Sequence, residues 1–204
     1  MLDLKLTDYL HRLASSEPTP GGGSVAALCG ALAAALGAMV CRLTFGKPRY
    51  AEVEAELQQV TAYLDQYRAE LAVLVSEDAK AYDGLSAAYK VPKDDPGREA
   101  AIQEALVLAT ETPLRIAELA AQVLDQVPVV VAKGSKVAVS DAGMAALLGA
   151  AALRSAALNV LINVQATKDP DRAAAAKARL DAALSGRVEA SEALYAEVVA
   201  RIGG

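Results

Sequence analysis

Pro18 to Cys41 reads PTPGGGSVAALCGALAAALGAMVC, a run without a single charged side chain. It opens on Pro-Thr-Pro and three consecutive glycines, then turns Ala-rich. Ala is the strongest helix former and is depleted in strands, so the part after the glycines predicts a helix. Gly23, Gly30 and Gly37 recur every seven residues and so lie near one face of that helix. Ala26, Ala27, Ala33 and Ala34 widen the same face. Where an ordinary core helix uses Leu and Ile, this one lets a second backbone come very close. At its start, a flexible turn running into a helix presents unbonded N–H groups, which suit an anion. The glycines equally suit a plain flexible connection between two packed helices.

The rest of the composition points the same way. The chain has 204 residues, 54% of them hydrophobic, but much of that share is Ala and aromatics are only 4%. This favours an all-α fold. A formal net charge of -5 argues against nucleic acid as a partner, because phosphate binding wants a basic surface. The two cysteines, Cys29 and Cys41, fall twelve residues apart on one predicted helix, roughly 18 Å along its axis. They cannot pair there, which suits a reducing, cytoplasmic setting. Met1 to Ser16 carries Asp3, Lys5, Asp8, His11 and Arg12, so no signal peptide is expected. Val25–Cys41 and Ala142–Thr167 are apolar enough to raise a membrane span. The first is mostly Ala and Gly, and Arg154, Asn159 and Asn163 interrupt the second. Charge and amide are costly in lipid, so both read as buried core helices and no membrane partner is expected.

Helical spacing of Leu2, Leu6, Tyr9, Leu10 and Leu13 predicts a first helix ending near Ser15. A turn over Glu17–Gly23 leads to a second helix from Ser24 to about Thr44, broken by Gly46-Lys47-Pro48. Leu57, Val60, Leu64, Tyr67, Leu71, Leu74 and Val75 make Arg49 to about Tyr89 one long helix. Val91–Gly97 is a loop, and Arg98 to about Val127 is helix, with a kink or break at Pro113 and Thr112 as its cap. Pro128–Val139 reads as a helix end and a loop. Ser140 is expected to cap a helix reaching about Gln165, and Asp169-Pro170 to start a last helix reaching about Ile202. The whole is expected to be one domain over residues 1–204, an up-and-down bundle of about six to seven helices, some long.

One His, His11, leaves no Cys/His zinc site and no Ser-His-Asp triad. PTPGGGS lacks the Gly-Lys-Ser/Thr ending of a phosphate-binding P-loop. Any chemistry must come from carboxylates, Lys, amides and backbone dipoles. Asp78 and Tyr82 share one helix face, where Asp78 serves either as a proton-transfer group or as a solvated charge. Asp141, one residue after Ser140, either works on a ligand or complements a helix dipole. Lys47, with Arg49 nearby, either holds an acidic substrate or complements the preceding helix's C-terminus. Asn159 and Asn163, four apart on a nearly uncharged helix, either glue helices together or face a polar ligand. Arg154, the only charge between Asp141 and Lys168, needs a partner or an exposed position.

PTPGGGSVAALCGALAAALGAMVCRLTFGK, Asp78-Ala79-Lys80-Ala81-Tyr82, Ser140-Asp141-Ala142-Gly143 and Asn159-Val160-Leu161-Ile162-Asn163 occur in an order that resembles the cyclodeaminase/cyclohydrolase family of folate enzymes. The resemblance covers nearly the whole chain. It implies a helical homodimer, a tetrahydrofolate derivative as substrate, and no metal and no bound redox cofactor. It further implies that Asp141 and Asp78 line the folate pocket, one of them the general acid/base, with Tyr82 and Ser140 beside them. Asn159 and Asn163 would meet the pterin edge or fix the carboxylates. Pro20, the Gly21, Gly22, Gly23 and Ser24 backbone and Lys47 would hold the glutamate tail or the reacting end.

Overall fold

The computed structural model describes Met1 and residues 3–203. Leu2, counted above toward the first helix, lies outside the described residues. In chain order the α-helices are α1 (Leu6–Leu13), α2 (Gly22–Arg42), α3 (Glu54–Lys90), α4 (Arg98–Lys133), α5 (Val139–Ala166), α6 (Pro170–Leu184) and α7 (Arg187–Gly203). Short 3-10 turns at Pro48–Val53 and Lys136–Ala138 precede α3 and α5. No strand occurs among the described residues, so the expected all-α bundle is what forms.

The core is a ring of four antiparallel neighbours, α2–α3–α4–α5, with α6 and α7 packed against α4 and α5. The α2 glycines set its spacing. A Cβ on Gly37 would stand 2.9 Å from Leu64, one on Gly30 3.1 Å from Leu71, and one on Gly23 1.9 Å from Asp78. Leu64, Leu71 and Asp78 are themselves seven apart, so the two heptad rows interlock as α3 runs antiparallel to α2. On the other flank of α2, Gly30 meets Ala152 at 3.5 Å, and Ala33 meets the Gly149 position at 3.9 Å. Leu114, Ile116, Leu119 and Val123 of α4, all fully buried, fill the ring from the far side.

Five expectations need correction. α4 is not broken at Pro113, nor does it end before Pro128; it runs through both to Lys133. Thr112 is no cap: its hydroxyl donates to the Leu108 carbonyl within the helix. At Pro113, the missing N–H orphans the carbonyl of Ala109, and Asn163 Nδ2 of α5 donates to it at 2.6 Å. Ser140 is not an N-cap, because α5 begins at Val139 behind Ala138 with no capping side chain. The last helix is two helices, divided at Ser185-Gly186, where Gly186 takes φ +69°. Finally, Pro48–Val53 is a 3-10 turn rather than the first turns of α3. Asp169 does cap α6, accepting from the Asp171 and Arg172 N–H groups.

The tightness of the α2–α3 contact is testable. Gly37→Val must force Leu64 aside, and overpacking of this kind typically costs about 1–3 kcal/mol. Gly84, exposed on α3 with nothing within 4 Å of a new Cβ, should instead gain roughly 0.5–1 kcal/mol as Gly84→Ala. Urea midpoints of the two variants are expected to move in opposite directions.

Candidate active site

Where α2 begins, it meets the middle of α3 and the last turns of α5. Gly21 is extended and Gly22 opens the helix, two residues before the expected start. Val25 N–H already bonds the Gly21 carbonyl at 3.1 Å, so the N–H groups ahead of it are the orphans of the helix start. The Ser24 N–H lies beside the Asp78 carboxylate and lowers its pKa. Those of Gly22 and Gly23 have no acceptor among the described residues and lie at the edge of a cleft of about 420 Å³.

Asp78 occupies the space that a side chain at position 23 would fill. The Ser24 hydroxyl, fully buried, donates to the Val75 carbonyl at 2.8 Å and to Asp78 Oδ2 at 3.3 Å. Burial pushes the Asp78 carboxyl above the usual carboxylate value, and the Ser24 hydroxyl and N–H pull it part of the way back. Burial also raises the phenol of Tyr9, with Cys29 and Asp78 adding to it. The Tyr9 hydroxyl has no hydrogen-bond partner among the described residues.

Asn159 stands across the cleft mouth from Gly22, its Nδ2 donating to the Ser155 carbonyl at 3.0 Å. Asn163, one turn on, spends its amide group on Ala109. Both amides therefore keep an Oδ1 acceptor beside the cleft. The remaining wall is apolar and aromatic: Tyr82, Leu85 and Tyr89 from α3, Leu106 and Pro113 from α4, and Ile162 from α5. The chain thus brings together Gly21, Gly22, Gly23, Asp78, Tyr82, Asn159 and Asn163, with Ser24 behind Asp78. Pro20 is buried just before the turn, after a cis Thr19–Pro20 bond. Sequence reasoning missed Leu85, Tyr89, Pro113 and Ile162. A helical count of four and seven from Asp78 and Tyr82 would have reached the α3 pair.

Lys47, Ser140 and Asp141 are not brought to this cleft. Eighteen residues of α5 separate Asp141 from Asn159, roughly 27 Å along the axis. Lys47 lies past the far end of α2, where its Nζ donates to the Leu43 carbonyl at 2.5 Å. Four larger clefts lie elsewhere, of about 560, 540, 560 and 440 Å³. The first is near the start of α5 and the second between α4 and α6. In the second, Arg179 is tied up by Glu111 and Glu118, all contacts at 2.8 Å. The carboxylates lining these two are Glu52 in the first and Glu111 and Asp169 in the second.

Comparison with known proteins places this helical bundle in a family. The formiminotransferase-cyclodeaminase family model matches residues 5–182, and the chain belongs to that family. It is 41% identical over 198 residues to the methenyltetrahydrofolate cyclohydrolase of Methylorubrum extorquens, covering 95% of each chain. It is 32% identical over 173 residues to the formimidoyltransferase-cyclodeaminase of Rattus norvegicus, covering 83% of this chain and 32% of that protein. The chain therefore spans about a third of that longer relative. The crystal structure of formiminotetrahydrofolate cyclodeaminase from Thermotoga maritima superposes with a TM-score of 0.89 at 26% identity, covering 100% of this chain and 99% of that one.

The Asp78 environment carries a signed prediction. Unfolded, Asp78 loses its proton near 3.8; folded, it holds the proton to higher pH. The native state then binds more protons between those two values, so Asp78 lowers stability as pH rises through that window. Asp78→Asn should accordingly be more stable than the parent at pH 7. That advantage should shrink as pH falls below about 4, near the ordinary carboxylate pKa. Urea titrations at both pH values check this, and an advantage independent of pH would contradict it.

Proposed function

We propose that the chain is a folate one-carbon enzyme working at the C1 carbon of 5,10-methenyltetrahydrofolate or 5-formiminotetrahydrofolate. Asp78 carries this reading: a half-buried carboxylate, raised in pKa and held at a helix start, opens into a cleft walled by rings and amide oxygens. Cyclohydrolysis of the methenyl compound is favoured, supported by the 41% identity to a methenyltetrahydrofolate cyclohydrolase. Cyclodeamination of the formimino compound is the second reaction the same site suits.

In cyclohydrolysis water adds to the methenyl carbon. Asp78 takes a proton from that water as the new C–O bond forms. The resulting tetrahedral centre collapses by breaking the bond from carbon to N5. Asp78 returns its proton to N5, and the product is 10-formyltetrahydrofolate with one proton released overall. A carboxyl raised toward working pH is suited to both transfers. The cationic amidinium of the substrate is itself the electrophile, and the nearby carboxylate favours that cation. In cyclodeamination N10 attacks the formimino carbon and Asp78 protonates the departing ammonia.

Tyr82, Leu85, Tyr89 and Ile162 give the aromatic parts of the substrate an apolar bed. The Oδ1 atoms of Asn159 and Asn163 accept from the pterin N–H groups. The N–H groups of Gly22 and Gly23 meet an oxygen at the reacting end. A setting in a reducing, cytoplasmic compartment is supported by the two free cysteines.

The test follows the ultraviolet absorbance of 5,10-methenyltetrahydrofolate with and without protein, and ammonia release from the formimino compound alongside. Turnover well above the spontaneous rate is expected. Asp78→Asn should lower it by about 100-fold or more. Gly23→Ala, which displaces Asp78 without removing it, should lower turnover while leaving the fold intact by circular dichroism. Binding at the spontaneous rate only would make the chain a folate-binding module and overturn the enzyme reading.

A further inference from the structure

We propose that Tyr9 is a positioning residue for the reaction: from outside the cleft, its phenolic hydroxyl hydrogen-bonds the ionised Asp78 carboxylate and holds it in the form that acts as base. The catalytic consequence rests on the folate reading above; the hydrogen bond does not.

Tyr9 is what fastens α1 to the bundle. It is the one buried residue of that helix, 5% exposed, while Leu6 is 68% and Leu10 51% exposed. α1 makes few contacts with the other helices. The Tyr9 ring sits in the core, and Leu13 and Met1 pack against the same core. The Met1 ammonium donates to Ser76 Oγ at 3.2 Å. Ser76 stands two residues before Asp78, about 3 Å along α3. The N-terminal segment therefore lies against α3 at the level of the carboxylate.

A ring alone would anchor α1, and phenylalanine supplies one with no polar atom to bury. Tyr9 buries a hydroxyl that has no hydrogen-bond partner among the described residues. Leaving a buried hydroxyl unbonded is costly, so such groups are normally satisfied. Two neighbours are in position to answer it. Burial raises the Tyr9 phenol most, and the negative forms of Cys29 on α2 and Asp78 on α3 add to it. A thiol is a weak acceptor, and burial pushes the Cys29 thiol up, which keeps it protonated. A carboxylate offers about four lone-pair positions.

Asp78 has acceptor capacity to spare. Its side-chain donor among the described residues is Ser24 of α2, whose hydroxyl reaches Oδ2 at 3.3 Å and is shared with the Val75 carbonyl. No cation pairs with it among the described residues. On α3 itself Glu77 and Lys80 pair with each other at 2.9 Å, and Tyr82 faces the cleft. From α5 the cleft receives only the amides of Asn159 and Asn163 as polar groups. The Tyr9 hydroxyl is not within hydrogen-bond distance of Asp78 in this structure. A shift of the short, lightly held α1, or one bridging water, joins the two. Hydrogen bonds of catalytic groups are often long in an empty site and tighten around substrate.

The effect has a definite sign. A phenol held protonated by burial donates at working pH. An O–H donated to an anion is stronger than one donated to a neutral group. The Tyr9 hydroxyl therefore favours ionised Asp78 and opposes the upward push of burial on that carboxyl. In cyclohydrolysis Asp78 must be ionised to take the proton from water. Without the hydroxyl it ionises only at higher pH. Tyr9 does not line the cleft, so substrate binding itself is unaffected.

The hydrogen bond is tested without substrate. Tyr9→Phe keeps the ring that fastens α1 and removes only the hydroxyl. The Asp78 carboxyl signal is titrated by NMR in protein carrying isotope-labelled aspartate, and is identified by its absence from Asp78→Asn. Its midpoint is expected to rise by about one pH unit in Tyr9→Phe, roughly what one charge-assisted hydrogen bond contributes. Cys29→Ala should leave it in place. An unmoved midpoint in Tyr9→Phe, or an equal rise in Cys29→Ala, overturns the proposal.

Turnover of the methenyl compound tests the consequence. The acid limb of kcat should move up with the Asp78 midpoint in Tyr9→Phe. Below the limb kcat should fall by about tenfold, the change that one pH unit gives, and well above it kcat should recover. KM should stay within about twofold of the parent. A fall in kcat at every pH with the limb unmoved makes Tyr9 structural only and overturns the proposal. A raised Asp78 midpoint in Tyr9→Phe, beside a parent that does not turn over folate, leaves the hydrogen bond standing and overturns the function instead.

Discussion

The structure depends on one close contact: the missing side chains of Gly37, Gly30 and Gly23 on α2 against Leu64, Leu71 and Asp78 on α3. Two heptad rows interlock there, and the helices approach more closely than Leu-on-Leu packing allows. The first two steps of this ladder are ordinary hydrophobic filling. The third uses the same geometry to seat a carboxylate. Extending the ladder into Asp78 carries a structural device into a chemical one, since the residue that would block the site is the glycine that continues the packing repeat.

Seating Asp78 there costs stability, and its neighbours offset only part of that cost. Burial raises its pKa, while the Ser24 hydroxyl and N–H lower it again. The balance leaves a carboxyl that can both take and give a proton, which a fully solvated or fully paired carboxylate does less well. Asn163 is part of the same construction. By satisfying the Ala109 carbonyl left free at Pro113, it ties α5 to α4 at the cleft and lets α4 run on unbroken. An amide expected either to glue helices or to face a polar ligand does the first with its nitrogen.

Charge is distributed unevenly over the bundle. The α3 surface and the α6–α7 side carry ion pairs, including Arg179 across to Glu111 and Glu118 and Arg187 to Asp125. The α2–α5 side carries almost none, although both helices are long and apolar enough to cross a membrane by length and composition. Each nevertheless buries half or more of its apolar stretch inside the ring.

The sequence by itself determined the helical class, the long α3 and the small face of α2, because Ala content, three-to-four spacing and a glycine heptad are local and periodic signals. It also marked Asp78, Tyr82, Asn159 and Asn163 as residues to watch. Only the tertiary structure decided which of the marked residues meet. It put Asp78 on Gly23, and it left Lys47 and Asp141 at the opposite end of the chain. It also decided that α4 survives two prolines and that the last helix divides at Gly186. These outcomes turn on long-range partners, such as Asn163 for the Ala109 carbonyl. A proline reads as a break in sequence because the group that rescues its lost hydrogen bond lies 54 residues away from that carbonyl, on another helix.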